Sequence, residues 1–219
     1  MTHSISLGQL LPAEDAPGGE RAHGGERADA AANRLRVLRA AEKLFAAAGV
    51  EDVHMADIAK EARVGKGTLY RRYASKGELC LALMDSQFRE FQNVMLDRLR
   101  QMTTAEIPWL RQLNQFLDAL VFFTADHMPL LCEVQRSGIP AMENTAPYFW
   151  LHLTVSGLLR GAAGAGELAP DLDIELLADI LLAPLRAETF RFLHEERGFT
   201  LERISASVQT FVNNLSAAR

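Results

Sequence analysis

The chain has 219 residues, of which 48% are hydrophobic, with 23 Lys and Arg against 28 Asp and Glu. This length and apolar content are sufficient for a buried core, and the net charge of −5 excludes a protein whose whole surface attracts nucleic acid or anionic membrane. The charge is uneven, because residues 33–79 carry ten basic and six acidic side chains and the remainder carries 13 and 22. Only one short region is basic.

The first 30 residues contain neither the basic start nor the apolar segment of a secretory signal, and their composition predicts a disordered tail. No stretch is long and apolar enough to span a membrane. Cys80 and Cys132 lie in apolar stretches without a disulfide pattern, which indicates buried thiols in a reducing compartment. We therefore expect a cytoplasmic protein with no membrane partner.

Apolar residues recur every three or four positions along the chain, which predicts an all-α fold. The first helix begins at Asn33, a capping residue, and ends at Gly49. Residues 55–62, MADIAKEA, make an amphipathic helix of two turns, which needs neighbours to be stable. A turn at 63–67 separates it from TLYRRY at 68–73. Two short helices joined by a tight turn form a helix-turn-helix, whose second helix enters the DNA major groove.

The predicted second helix carries the donors that DNA bases require. Leu69 and Tyr73, four residues apart, face the core, so the basic side chains lie outside. Arg71 is the first candidate for base reading because its guanidinium fork fits guanine. Lys66 and Thr68, near the start of the helix, are the other candidates.

Phosphate contacts are predicted for Tyr70, Arg72 and Lys76, since hydroxyl groups and cations commonly hold the DNA backbone. From the residues alone, a solvated basic helix without a partner is an alternative.

Residues 33 to about 83 resemble the DNA-binding domain of TetR-family transcriptional regulators. The matching motifs are AA..LF...G in the first helix, DIA in the second, and KGTLY....SK.EL from the third into the fourth. The resemblance implies a three-helix DNA-binding head at 31–80 and a divergent helical body at 81–219 that binds a ligand and forms a dimer. By position, it also implies that residue 54, Tyr70 and Lys76 approach the DNA backbone, and that residues 66–68, including Gly67, and residue 71 face the bases.

Four positions depart from the family pattern. His54 replaces the usual Thr, although an imidazole could also donate to a phosphate. Gly65 replaces a Ser or Asp cap, which costs a few tenths of a kcal/mol. Arg63 occupies a common glycine position and Arg72 a common aromatic one, so two additional cations face the DNA.

Long helices are predicted for the body, including one from Ser75 to about 102 that joins it to the head. The helix at 173–198 is apolar on nearly every side from Leu176 to Leu185. The last helix has an apolar seam with coiled-coil-like spacing, made of Leu201, Ile204, Val208, Phe211 and Leu215. We predict a homodimer through these last two helices; the alternative is that both close the body's own core.

A mostly apolar cavity for a small-molecule inducer is predicted from aromatic and soft apolar residues with a few polar groups. The candidates are Phe116, Leu120, Phe123, Met128, Met142, Tyr148, Phe149, Trp150, His152 and Leu153. Each of them is equally compatible with an ordinary core position, and His127 and His152 with buried, hydrogen-bonded histidines.

The motifs expected of an enzyme are missing from the sequence. GAAGAG follows a helix rather than a strand, and HEE at 194–196 lacks the second histidine of a metal-binding pair. No metal or cofactor is expected. The predicted function is a repressor released from operator DNA by a small apolar or amphipathic ligand; a helical scaffold without DNA binding and, after it, an enzyme are the alternatives.

Overall fold

The computed structural model describes residues 20–138 and 146–216, with side chains from Asp29 onward. Residues 1–19 of the predicted tail, and Met142, lie outside these ranges. The helices are α1 (Glu20–Ala48), α2 (Met55–Glu61), α3 (Lys66–Arg72), α4 (Lys76–Thr104), α5 (Trp109–Asp126), α6 (Met128–Arg136), α7 (Ala146–Gly164), α8 (Ile174–Leu182), α9 (Ala187–Arg191) and α10 (Leu201–Asn213). The predicted all-α class is confirmed; in the described ranges, β pairing is limited to one isolated bridge, Leu168 with Ser216.

Helix α1 begins 13 residues earlier than predicted. The disordered tail expected for residues 1–30 is wrong for 20–30, which are helical. Alanines and charged residues between Glu26 and Ala32 favour a helix, so the chain is already helical when it reaches Asn33. Asn33 therefore does not cap α1; its side chain accepts a hydrogen bond from Arg36.

The head core is formed by α1, α2, α3 and the first turns of α4. Ile58, Leu69 and Leu79 are at most 1% exposed at its centre. Leu130 and Val134 of α6 also belong to this core. Helix α6 is thus packed into the head although it follows α5 of the body in the chain.

Helix α4 connects the head to the body as the sequence predicts. Ser75 caps it, because its hydroxyl accepts from Glu78 N at 3.1 Å and the Glu78 carboxylate accepts from Ala74 N at 2.8 Å. Because Glu78 accepts from Ala74 and not from the cap residue Ser75, this pair is a variant of the capping box. It fixes the helix start three residues after the end of α3.

The body surrounds α5, which packs against α7 and α10. The helix predicted for 173–198 is broken: α8 stops at Leu182, a 3₁₀ turn spans Ala183–Leu185, and a π turn follows α9 at Phe192–Glu196. Pro184 explains the first break, since it lacks an N–H and its ring crowds the preceding turn.

The first four residues of the glycine-rich stretch GAAGAG are helical, because α7 continues to Gly164. Gly161 lies inside the helix for a packing reason. A Cβ at this position would lie 2.5 Å from the Trp109 ring, so only glycine lets the indole approach.

The apolar seam of α10 is buried in part within the same chain, and its Phe211 is 45% exposed. Ile204 is 4% and Val208 8% exposed, and α10 packs on α5 with Ser205 donating to Asp118 at 2.5 Å. Part of the seam therefore closes the body's own core, and a subunit contact through α10 stays a prediction. Helix α5 supplies the complementary apolar surface that a partner would otherwise provide.

Candidate DNA interface and ligand cavity

The helix-turn-helix has the predicted layout. Helix α2 buries Met55, Ile58 and Ala59, while α3 buries Leu69 and ends at the buried Tyr73. In the turn between them Arg63 has a φ of 54°. This left-handed conformation costs a non-glycine residue about 1 kcal/mol, which explains the glycine preference noted at this position. An arginine there places a cation beside α3.

The predicted DNA-contacting residues of α3 lie together on its open side. All are exposed: Lys66, Gly67, Thr68, Tyr70, Arg71 and Arg72. Tyr70 is 49% exposed, an unusual position for an aromatic ring that has no partner to cover it. Helix α3 thus presents basic, hydroxyl and aromatic groups as one surface, and their individual roles at bases or phosphates stay predictions.

His54 is exposed at the position preceding α2. Its backbone N–H donates to the Asp57 carboxylate at 3.2 Å, which anchors the start of the helix. The imidazole lies at the head surface, where a phosphate contact remains a prediction.

The Lys76 ammonium group has several partners within the chain. Its Nζ donates to the carbonyl oxygens of Val50, Glu51 and Val53 at 2.7, 3.1 and 3.3 Å, and lies 3.7 Å from Glu133 Oε2. The side chain is 17% exposed. An ammonium group has three N–H donors, and all three have acceptors within the chain; the phosphate contact of Lys76 stays a prediction.

A cavity of about 290 Å³ lies between helices α4 to α9. Its apolar wall includes two predicted residues, Leu120 and Phe123, together with Tyr148 from the wider set of candidates. Polar groups also line it, namely Asp85, Thr124, Gln135, Arg186, Glu188 and Thr189. This is the predicted type of site, an apolar space with a few orienting polar groups.

Six predicted cavity residues lie outside its lining, among them Trp150 and the exposed Leu153. Phe116 and Met128 are 0% and 4% exposed within the body core. Phe149 is 56% exposed on the surface. His152 lies between α7 and α8, with Nε2 3.5 Å from Asp179. Core, surface and cavity positions have the same apolar composition, which is why the sequence could not separate them.

Trp150 stands behind the cavity rather than in its wall. Its ring lies 5.7 Å from that of Phe88, edge to face, and 5.8 Å from Phe116.

Phe123 stacks on His127 at 4.0 Å, and His127 Nδ1 lies 2.7 Å from the Phe123 carbonyl. His127 is therefore a hydrogen-bonded core histidine, the alternative considered for it.

Sequence reasoning missed the contribution of α4 and α9 to this cavity. Leu81, Met84, Asp85 and Phe88 of α4 line one side, and their spacing of 3, 1 and 3 marks one helix face. This face was readable as apolar but not as part of a cavity. The sequence analysis did not assign the α9 residues to the cavity, because it predicted an unbroken helix through Pro184.

The cysteines lie apart from both sites. Burial raises the pKa of the Cys80 thiol to about 12 and also raises that of the half-buried Cys132. Within the described ranges, His, Cys, Asp and Glu form no group of three or more that could ligate a metal, and no helix is long and apolar enough to cross a membrane.

Comparisons with known proteins agree with this architecture. The family model described as "Bacterial regulatory proteins, tetR family" matches residues 37–83. An HTH-type transcriptional regulator of Staphylococcus aureus is 29% identical over 176 residues, covering 80% of this chain and 90% of that protein.

Solved structures share the fold. A Thermus thermophilus FadR in complex with lauroyl-CoA, described as a TetR-family transcriptional repressor, superposes with a TM-score of 0.61 at 20% identity, covering 85% of this chain and 96% of the other. A putative regulator from Saccharomonospora viridis in complex with choline gives 0.60 at 21% identity, covering 85% and 98%. The family model thus matches the DNA-binding head, the relative of the whole chain is a transcriptional regulator, and the chain shares the fold of solved TetR-family structures.

Proposed function

We propose that this protein is a homodimeric repressor that leaves its operator when a small apolar or amphipathic ligand enters the cavity. The observation that carries the proposal is the connection between two sites. The cationic surface of α3 and the 290 Å³ cavity are joined by α4 and α6, and both of these helices line the cavity and pack into the head core.

DNA binding follows from the charge distribution. The head has an excess of four basic side chains over residues 33–79, and the rest of the chain is acidic. The acidic body repels DNA and the head attracts it, so the molecule is oriented before contact. Arg71 is proposed to read a base, and Tyr70 and Arg72 to hold phosphates.

Dimerisation is proposed through α7 and α8 instead of α10. Four large apolar side chains on these helices are open to solvent: Phe149 at 56%, Leu153 at 64%, Leu176 at 56% and Ile180 at 46%. A soluble monomer seldom exposes so many at one place.

These four side chains share one side of the helix pair. Contacts between the helices join Arg160 to Glu175, and His152 and Tyr148 to Asp179, so the helices are antiparallel. Each exposed residue follows a contact residue by one position, a rotation of about 100°. In antiparallel neighbours the two rotations lead to the same side.

This apolar side supports a self-complementary contact between two copies of the chain. Two heads held in this way can occupy successive major grooves about 34 Å apart, one helical turn of DNA.

The chemistry of the cavity favours a ligand without several negative charges. Its polar rim has two carboxylates, Asp85 and Glu188, and one guanidinium, Arg186. Asp85 is paired with Arg89 at 2.5 Å, and Gln135 donates to Glu188 at 3.5 Å. The body outside the head is acidic as well. An uncharged or amphipathic ligand therefore fits better than a polyanion.

The experiment begins with the binding of DNA from the region upstream of the protein's own coding sequence, measured by gel shift. Compounds that raise the melting temperature are then titrated by calorimetry with and without this operator. Linkage requires that operator weaken ligand binding by the factor by which ligand weakens operator binding, typically about 5- to 150-fold. Equal ligand affinities in both titrations would refute ligand-controlled repression, and absence of a shifted band would refute operator binding.

A further inference from the structure

A buried carboxylate lies where the head meets α6. The Glu133 side chain is 9% exposed, and its Oε2 accepts no hydrogen bond from the described part of the chain. Its charge partners are Lys76 Nζ at 3.7 Å and Arg136 Nη1 at 3.4 Å. A buried carboxylate oxygen without a hydrogen bond is unfavourable for stability. Packing alone therefore gives no reason for a glutamate at this position.

Lys76 cannot donate hydrogen bonds to the loop carbonyls and to the Glu133 carboxylate at the same time. Its three donors are directed to the carbonyls of the loop between α1 and α2, at residues 50, 51 and 53. Glu133 is left with the attraction of the charge alone. One ammonium group thus holds the loop of the head by hydrogen bonds and α6 by electrostatics.

Helix α6 connects this pair to the cavity. Val134, next to Glu133, lies in the head core and also lines the cavity. The contact between α4 and α6 is tight, because a Cβ on Gly77 would overlap the side chain of Ser137. Close packing transmits displacements instead of absorbing them. A shift of α6 must therefore change the distance between Glu133 and Lys76.

We propose that Lys76 and Glu133 are positioning residues that set the head on the body, and that a ligand in the cavity acts on the head through them. The inference rests on the proposed function. In the observed arrangement the loop carbonyls hold Lys76. When α6 moves toward Lys76, Glu133 Oε2 gains its missing hydrogen bond, the loop loses a donor, and the start of α2 loosens. The two pairings form a two-state element that a ligand can bias.

Hydrogen exchange of the DNA-free full chain tests the pair without any ligand. Lys76→Met removes the donors, and amides of residues 50–58 should exchange at least about fivefold faster, the low end of typical coupling between sites. Glu133→Gln keeps the shape but removes the competing charge, so the same amides should exchange at the wild-type rate or more slowly. Amides of α5 serve as the internal reference.

Faster exchange in Lys76→Met without faster exchange in Glu133→Gln distinguishes positioning from simple structural support. Faster exchange of residues 50–58 in Glu133→Gln, or unchanged exchange in Lys76→Met, would overturn the proposal. If Lys76→Met also accelerates exchange in α5, the double variant Lys76→Met/Glu133→Gln replaces it, because this variant leaves no unpaired buried charge. Relative to wild type, exchange should then still be accelerated more in residues 50–58 than in α5.

A salt titration of operator affinity separates positioning from phosphate contact. Arg72→Met should lower the salt slope by about one, as expected for the loss of one phosphate contact, whereas Lys76→Met should weaken binding with the wild-type slope. A slope lowered equally in both variants would return Lys76 to the DNA backbone. If the protein bound no operator at all, the proposed function would fail while the exchange result still decided the role of the pair.

Discussion

The head and the body place their functional groups in different ways. Most of the predicted DNA-contacting side chains of the head come from one helix of seven residues, Lys66–Arg72, and these are all exposed. The cavity of the body is lined by residues from Leu81 to Thr189 on six helices, α4 to α9, and each apolar wall residue resembles an ordinary core residue. A site carried by one helix leaves a local sequence pattern, whereas a site assembled between helices does not. The predictions below test this division in order of decreasing effect.

The largest effect is expected from Leu153→Asp in the body. The residue is 64% exposed, so the fold of the subunit should survive. In a dimer joined through α7 and α8, an unpaired buried charge costs about 3 to 5 kcal/mol. Light scattering after size-exclusion chromatography should show monomers, with little operator affinity remaining.

The matched control is Phe211→Asp on α10, which is 45% exposed and should leave the dimer intact. The opposite result, monomers from Phe211→Asp and dimers from Leu153→Asp, would restore α10 as the subunit contact.

In the head, Arg71→Ala should weaken operator binding by about 1 to 3 kcal/mol and relax the preference at one position per half-site. Arg72→Ala should weaken all sequences alike and lower the salt slope by about one. Competition binding with a set of single-substituted operators measures both effects. Equal, sequence-independent losses in the two variants would remove the base-reading role from Arg71.

A smaller and selective effect is expected from Leu151→Trp, which fills part of the cavity. Leu151 is half-buried in the cavity wall, so ligand should be excluded while operator binding changes by less than about tenfold, or 1.4 kcal/mol. Calorimetry with a confirmed ligand and a gel shift measure the two properties. Val94→Trp, on an exposed part of α4, is the control; equal ligand affinity in Leu151→Trp and wild type would place the ligand elsewhere.

The smallest test concerns the order of thiol modification. Thiolate is the reactive form, and a pKa of about 12 with full burial leaves Cys80 almost entirely protonated near pH 8. Cys132 is only half-buried. Iodoacetamide should therefore label Cys132 first, as followed by peptide mass spectrometry, and labelling of Cys80 ahead of Cys132 would show that the head opens before the body.

Periodicity was sufficient for the fold class and for the helix-turn-helix, because both depend on local spacing. It was not sufficient at element ends. Asn33 has the chemistry of a cap, but a helix starts there only when the preceding chain leaves the helical conformation. Pro184 was visible as a helix breaker, yet the strong apolar pattern on both sides of it was read as continuous.

Partner choice was the second limit of the sequence. The spacing of Ile204 and Val208 suits a helix from another subunit and α5 of the same subunit equally well. Lys76 matched a phosphate-contacting position, and its actual partners, three loop carbonyls and Glu133, are 23 to 57 positions away in the chain. Such long-range contacts follow from tertiary packing and not from a local motif.

The enclosure of Lys76 also gives its amine a chemical behaviour that differs from that of the exposed lysines. Acylation requires a nitrogen lone pair, and Nζ of Lys76 can present one only after its bonds to the loop carbonyls have opened. An amine-reactive acetylating reagent should therefore modify Lys66 quickly and Lys76 only as often as the loop releases it. The rate of Lys76 acetylation then measures how often the loop between α1 and α2 releases this side chain, in the intact protein and with no substitution introduced.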